Sequence, residues 1–285
     1  MTRLREGTAL LLAALAVAAP AAAQSRTDVL LHATGLSYQD SHVKDAGWVV
    51  GFYGTYGSGW KHLVEVGATR TGVDHLDGWQ LRQTDVAGAY GYYGAQGAVR
   101  AGLHVISGND ALSDGGMVLF GGASRYRVGS WSAGAEGALS SYGDYDGGLT
   151  VVQVAPSVAL TKAAGEGRHI LGASLRGYYI ELSEDLGLGS RDFLSGEAGL
   201  SYTSGRLSLS GFAWAGEQAF AVRGGGFTVF NLAELHTGGF GGGLRWVLSP
   251  RSALSAGYYV ERFEDLGLAN KAWARSLSAS LGFTL

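Results

Sequence analysis

The chain of 285 residues has no cysteine, which excludes a disulfide-held scaffold and a lipid anchor on a thiol. Charge is scarce as well. Asp, Glu, Lys and Arg make up 16% of the sequence, well below the usual quarter, so much of the surface is not built to face water. The formal net charge is −3 and the basic residues are scattered, which leaves nucleic-acid binding without support. Beyond the first two dozen residues no apolar run approaches the length of a helical membrane span. Histidines 32, 42, 62, 75, 169 and 236 lack the spacing of zinc ligands. "GGFGGGLRW" (238–246) lacks the Lys-Ser/Thr of a phosphate loop. No metal and no cofactor is therefore expected. What is abundant is glycine (48 residues) and aromatic side chains, with 14 Tyr, 10 Phe and 7 Trp.

The N-terminus carries Arg3 and Arg5, then "ALLLAALAVAA" (9–19) and "AAAQ" (21–24). A positive start, a short apolar run and a small-residue cleavage site predict a secretory signal peptide over 1–23, leaving one domain over 24–285.

Past Ser25 the dominant pattern is strict alternation, the period of a β-strand with one oily face. In "WVVGFYGTYG" (48–57) Trp48, Val50 and Phe52 share a face. "LTVVQVAPSVALT" (149–161) sets Val152, Val154, Val158 and Leu160 against Gln153, Ser157 and Ala159. The chain ends on "SLSASLGFTL" (276–285), alternating to its last residue. The opposing faces carry glycine, serine and charge while the oily faces run unbroken. Such segments number about fourteen, within two either way, which fits an all-β, antiparallel, up-and-down transmembrane barrel. The last three before the terminal strand are expected at 206–222, 227–248 and 252–263.

Connections alternate between tight ones, such as "GAQG" (94–97) and "TSGR" (203–206), and longer acidic ones, such as "SGNDALSDGG" and "SYGDYDGG". Short turns on the periplasmic side and longer loops outside are the habit of outer-membrane barrels. The leader, the alternating connections and the terminal strand together resemble the bacterial outer-membrane β-barrel class, in particular its porin-like members, over the mature chain. The resemblance implies location in a Gram-negative outer membrane, insertion by the barrel-assembly machinery, and contact with outer-membrane lipid and lipopolysaccharide. That class commonly ends on an aromatic residue; here Phe283 stands two places before Leu285. A closed barrel also explains a chain ending in mid-strand, because "VLLHATGLSY" (29–38) can continue the sheet.

Turning the oily faces to lipid places a second set of residues in the lumen: Glu65, Asp85, Arg100, His104, Arg125, Glu136, Gln153, Arg176, Glu197 and Arg245. Signs alternate around the wall. The set forms either a neutralising network that fills the interior or a transverse field that screens solutes. Asp85 and His104 are expected diagonal on neighbouring strands, but no serine accompanies them, so no catalytic residue is assigned. Loop acids, among them Asp74, Asp110, Asp144, Asp146, Asp185 and Asp265, make the outer vestibule negative.

Two further features stand out. "GYYIELSEDLGL" (177–188) returns as "GYYVERFEDLGL" (257–268), with alternation that conflicts between copies. The facing of Glu181 and Glu261 is left open, and a bulge is expected in one of the two strands. The longest connection, 216–239, contains "AFAVR-GG-GFTVF", a hairpin around glycines able to take φ > 0. It either projects above the membrane or folds inward, bringing Arg223, Asn231, Glu234 and His236 to a constriction. Continuity with "RLSLSGFAWAG" favours projection.

The expected function is a monomeric channel for passive diffusion of small hydrophilic solutes. A closed barrel acting through its loops and a membrane-embedded hydrolase are the alternatives.

Overall fold

The computed structural model describes residues 25–59, 61–110, 113–143, 148–232, 234–265, 267–268 and 270–285. The leader at 1–23 and the loop acids Asp144 and Asp146 lie outside the described residues. Fourteen antiparallel strands close into one barrel. The first seven are β1 (Arg26–Gln39), β2 (Lys44–Ser58), β3 (His62–His75), β4 (Gln80–Tyr93), β5 (Gly97–Gly108), β6 (Met117–Arg127) and β7 (Trp131–Tyr142). Then come β8 (Leu149–Ala164), β9 (His169–Leu182), β10 (Asp192–Ser204) and β11 (Leu207–Gln218). After an insertion, β14 (Leu235–Ser249), β15 (Ser252–Glu264) and β16 (Ala272–Thr284) complete the wall. The insertion holds β12 (Val222–Arg223) and β13 (Thr228–Val229), a separate two-stranded ribbon.

Closure runs through β1 and β16, in register from Asp28↔Thr284 to Gln39↔Trp273. Each edge strand thus finds a partner, which a sheet surrounded by hydrocarbon requires because no water is there to satisfy free N–H and C=O groups. The outward set is oily across the middle of the wall, with charges nearer its two ends. Leu194 and Leu200 are 71% and 70% exposed, and Leu119, Leu160, Leu175 and Leu277 stand beside them on the outer face. Such a belt would be untenable in water. Aromatic residues mark both rims. Tyr90, Tyr92, Trp131 and Trp246 lie toward the short turns, and Trp48, Trp79 and Tyr179 toward the long connections. That is the girdle arrangement of a spanning barrel.

The repeated motif is one of sequence only. Tyr178 is buried and Tyr179 exposed in β9, whereas Tyr258 is exposed and Tyr259 half-buried in β15. Glu181 accordingly points outward and Glu261 inward. Neither strand contains the expected bulge. β9 pairs with β10 without a shift, as β15 does with β16.

The strand expected at 227–248 forms only from Leu235, and the one at 206–222 stops at Gln218. Between them the chain leaves the wall, and here the favoured projection fails. Residues 219–229 form the expected hairpin, with Val222 paired to Val229 and Arg223 to Thr228. It lies inside the barrel. Phe220 is fully buried against Tyr142, Ile180 and Phe193 near the long-connection ends of β7, β9 and β10. Val222, with Phe227 and Val229, packs on Val118 and Phe120 of β6. An apolar hairpin in water would leave these side chains wet, whereas the lumen supplies a core for them.

Candidate functional site in the barrel lumen

The tip of the hairpin, Gly224–Gly226, has positive φ at all three residues, 57°, 62° and 94°, a conformation that only glycine adopts without strain. It reaches Glu65 and Arg100, close to the short-turn ends of β3 and β5. Arg100 Nε bonds Glu65 Oε2 at 2.5 Å, and its Nη1 donates to the Gly225 carbonyl. Tyr53 donates to the other Glu65 oxygen. The guanidinium lies against both Phe120 (5.2 Å) and Phe227 (5.4 Å), whose rings touch each other. One step toward the loop side, His104 Nε2 meets Asp85 Oδ1 at 3.0 Å and His104 Nδ1 meets the Gly226 carbonyl at 2.9 Å. Both ring nitrogens of His104 therefore face oxygen acceptors, one on the wall and one on the hairpin.

The remaining predicted residues fall into place around the hairpin. Gln153 clasps Val222 through both amide atoms, donating to its carbonyl at 2.6 Å and accepting from its N–H at 2.8 Å. Glu197 pairs with Arg223 of the hairpin. Arg176 Nη1 lies 3.4 Å from Glu136 Oε2. Asn231 donates to Gln83 Oε1 at 2.7 Å, and Gln83 in turn donates to Asp85 at 2.9 Å. Glu234 pairs with Lys44, and His236 Nδ1 lies 3.2 Å from Glu261 Oε1. Arg245 stays on the inner face near the short-turn rim, where its charge reaches Asp28. The wall charges thus neutralise one another in pairs, several of them through the hairpin.

Arg125 is a correction. It is exposed on the outer face at the short-turn end of β6, in register with Gly97 and Ala133. Arg127 is placed the same way. The sequence "MVLFGGASRYR" has apolar residues on both faces. Val118 and Phe120 are buried under the hairpin while Met117 and Leu119 meet lipid. Alternation therefore carried no sign of which parity was inward.

Lys44, Tyr53, Gln83 and Phe227 belong to the site and were not legible as such. Lys44 sits in an acidic stretch that reads as a loop, and its partner Glu234 is distant in sequence. Gly67 gave a faint signal. A Cβ there would stand 3.0 Å from the Phe227 ring, so the wall is thinned where the hairpin leans on it.

The hairpin divides the lumen unequally. Toward β5–β10 its apolar residues seal the loop end, leaving a pocket of about 180 Å³ bordered by Arg100, Glu136 and Gln153. Toward β1–β4 and β14–β16 a larger chamber of about 520 Å³ remains. Its wall is mainly apolar, with Leu30, Leu36, Val49 and Leu81 facing Phe227, Phe230 and Leu232 of the insertion. Lys44, Glu234, His236 and Glu261 stand at its loop end.

A closed fourteen-stranded antiparallel barrel with an oily belt, two aromatic girdles and an ionic lumen is a bacterial outer-membrane β-barrel. No family model and no curated protein sequence matches the chain. Among solved structures, the monoaromatic hydrocarbon channel CymD aligns with a TM-score of 0.54 at 8% identity, over 92% of this chain and 88% of its own. The Pseudomonas putida toluene transporter TodX aligns with a TM-score of 0.51 at 9% identity, over 93% of this chain and 90% of its own. At these identities the likeness is one of fold.

Proposed function

We propose that this barrel is an outer-membrane channel whose infolded hairpin narrows the lumen to a chamber for small, mainly apolar molecules. The observation that carries this reading is the lining of the larger chamber, where aliphatic wall residues face the aromatic residues of the hairpin. A volume of about 520 Å³ lies in the range of pockets that enclose small organic ligands. The shared fold with CymD and TodX, channels described for monoaromatic hydrocarbons and toluene, supports the same class of solute. A second reading, passive diffusion of small hydrophilic solutes, draws on the charged pocket between Arg100, Glu136 and Gln153. Two uptake measurements separate them. Cells making the protein are compared with cells lacking it for entry of a labelled monoaromatic hydrocarbon, and proteoliposomes are tested for swelling in small sugars. Faster hydrocarbon entry with little sugar permeation is expected. Sugar permeation without hydrocarbon entry would favour the hydrophilic reading, and failure of both would leave a closed barrel.

A further inference from the structure

Three arginines inside the barrel have carboxylate partners: Arg100 with Glu65, Arg176 with Glu136 and Arg223 with Glu197. Four others, Arg70, Arg82, Arg262 and Arg275, stand on the outward faces of β3, β4, β15 and β16. Their parity is fixed by their neighbours. Arg70 is in register with the exposed Val50. Arg82 lies between Leu81 and Gln83, Arg262 between Glu261 and Phe263, and Arg275 between Ala274 and Ser276, all of which line the lumen chamber. Each lies within five residues of the loop end of its strand.

Their hydrogen-bond partners are neutral, and Arg82 alone has a carboxylate within ion-pairing distance. Arg70 donates to Thr84 Oγ1 at 2.6 Å, Arg262 to Thr237 Oγ1 at 2.7 Å and Arg275 to Gln39 Oε1 at 2.6 Å. Arg82 donates to Gln80 Oε1 at 2.6 Å and lies over the Trp48 ring at 5.6 Å, with Asp74 at 3.9 Å. Among the described residues, Arg70, Arg262 and Arg275 have no carboxylate within ion-pairing distance. The strands concerned occupy one continuous arc, β15–β16–β1–β2–β3–β4. The outward charges near the loop ends of β9, β10 and β11 are acidic, Glu181, Asp192 and Glu217, whereas on the arginine arc Asp74 and Glu264 stand among the four cations.

A guanidinium on the outer wall of a spanning barrel is costly at mid-depth and falls toward no cost near the headgroups, where it can meet an anion. Neutral acceptors hold Arg70, Arg262 and Arg275 in place without cancelling their charge, and Arg82 has Asp74 only at the limit of ion pairing. Arginine's planar fork matches phosphate oxygens bidentately. The side on which the long connections lie is the outer leaflet, whose anionic headgroups belong to phosphorylated glycolipid. We propose that Arg70, Arg82, Arg262 and Arg275 form a binding face for the phosphates of lipopolysaccharide on one side of the barrel. This assignment does not depend on what passes through the lumen.

The test uses the purified full chain in detergent, with bisphosphorylated lipid A, its dephosphorylated form and phosphatidylglycerol as probes. Binding is followed by native mass spectrometry. The unmodified protein is expected to retain the bisphosphorylated form at least about tenfold more tightly than the dephosphorylated one. The quadruple variant R70Q/R82Q/R262Q/R275Q should lose that preference. R125Q/R127Q, altered on the opposite rim, should keep it. The proposal is overturned by equal retention of the two lipid A forms, by equal loss in R125Q/R127Q, or by phosphatidylglycerol binding as tightly as the bisphosphorylated form. Should the quadruple variant fail to fold, the comparison of the three lipids on unmodified protein decides the matter alone.

Discussion

Arg100 is the side chain on which wall and hairpin meet. Its Nε satisfies Glu65, its Nη1 satisfies Gly225 and its guanidinium packs against the paired rings of Phe120 and Phe227. Removing it would leave Glu65, 8% exposed, with the Tyr53 hydroxyl as its remaining donor. An uncompensated charge of that kind is expensive, so Arg100→Ala should destabilise the barrel by roughly 3 kcal/mol. Glu65→Gln in the same chain removes the stranded charge and lets Tyr53 keep a carbonyl acceptor. The double variant should therefore be more stable than Arg100→Ala alone. Denaturant unfolding of the two variants in the same lipid vesicles measures the difference, and equal stabilities would show that the pair is not coupled. Glu65 and Arg100 were both legible as inward residues because their strands alternate cleanly. Arg125 was not, because the hairpin makes the inner face of β6 as apolar as its outer face.

The hairpin illustrates what local pattern can and cannot convey. Its existence was written in the glycines at 224–226 flanked by alternating apolar residues, and the three positive φ values follow from that. Its direction was not written there. Upward or inward placement depends on partners far away in the sequence: Glu197 for Arg223, Gln83 for Asn231, Gln153 for Val222. It depends also on a lumen wide enough to hold it. Gly67 and Phe227 offer a direct check, because a Cβ at Gly67 would lie 3.0 Å from the Phe227 ring. The chain has no cysteine of its own, so a Gly67→Cys/Phe227→Cys pair would form the only disulfide possible. Spontaneous oxidation should cross-link wall and hairpin within the folded protein, detected as a shift in gel mobility that a reductant reverses. A hairpin standing above the membrane would leave both thiols free to a maleimide reagent.

The barrel's organisation follows from the solvent on its two sides, and this was the most legible level of all. Strand number, closure and the sense of the outer face came from alternation and from the rhythm of short and long connections. They hold because a transmembrane sheet cannot leave an edge or turn a charge to hydrocarbon without a large cost. The two copies of "GYY" show the limit, since Tyr179 lies on the outer face of β9 and the matching Tyr259 lines the lumen in β15. Leu200 and Ser201 test the central distinction on adjacent residues of β10. Leu200 is 70% exposed on the outer face, and Ser201 lies on the inner face. If the outer face meets acyl chains, Leu200→Arg should cost about 2–4 kcal/mol, whereas Ser201→Arg can hydrate within the lumen and should cost far less. In a barrel with water outside, Leu200→Arg would be close to neutral and Ser201→Arg would be the more disruptive of the two. Equilibrium folding into phospholipid vesicles, with each variant measured against the unmodified chain, reads the sign of that difference directly.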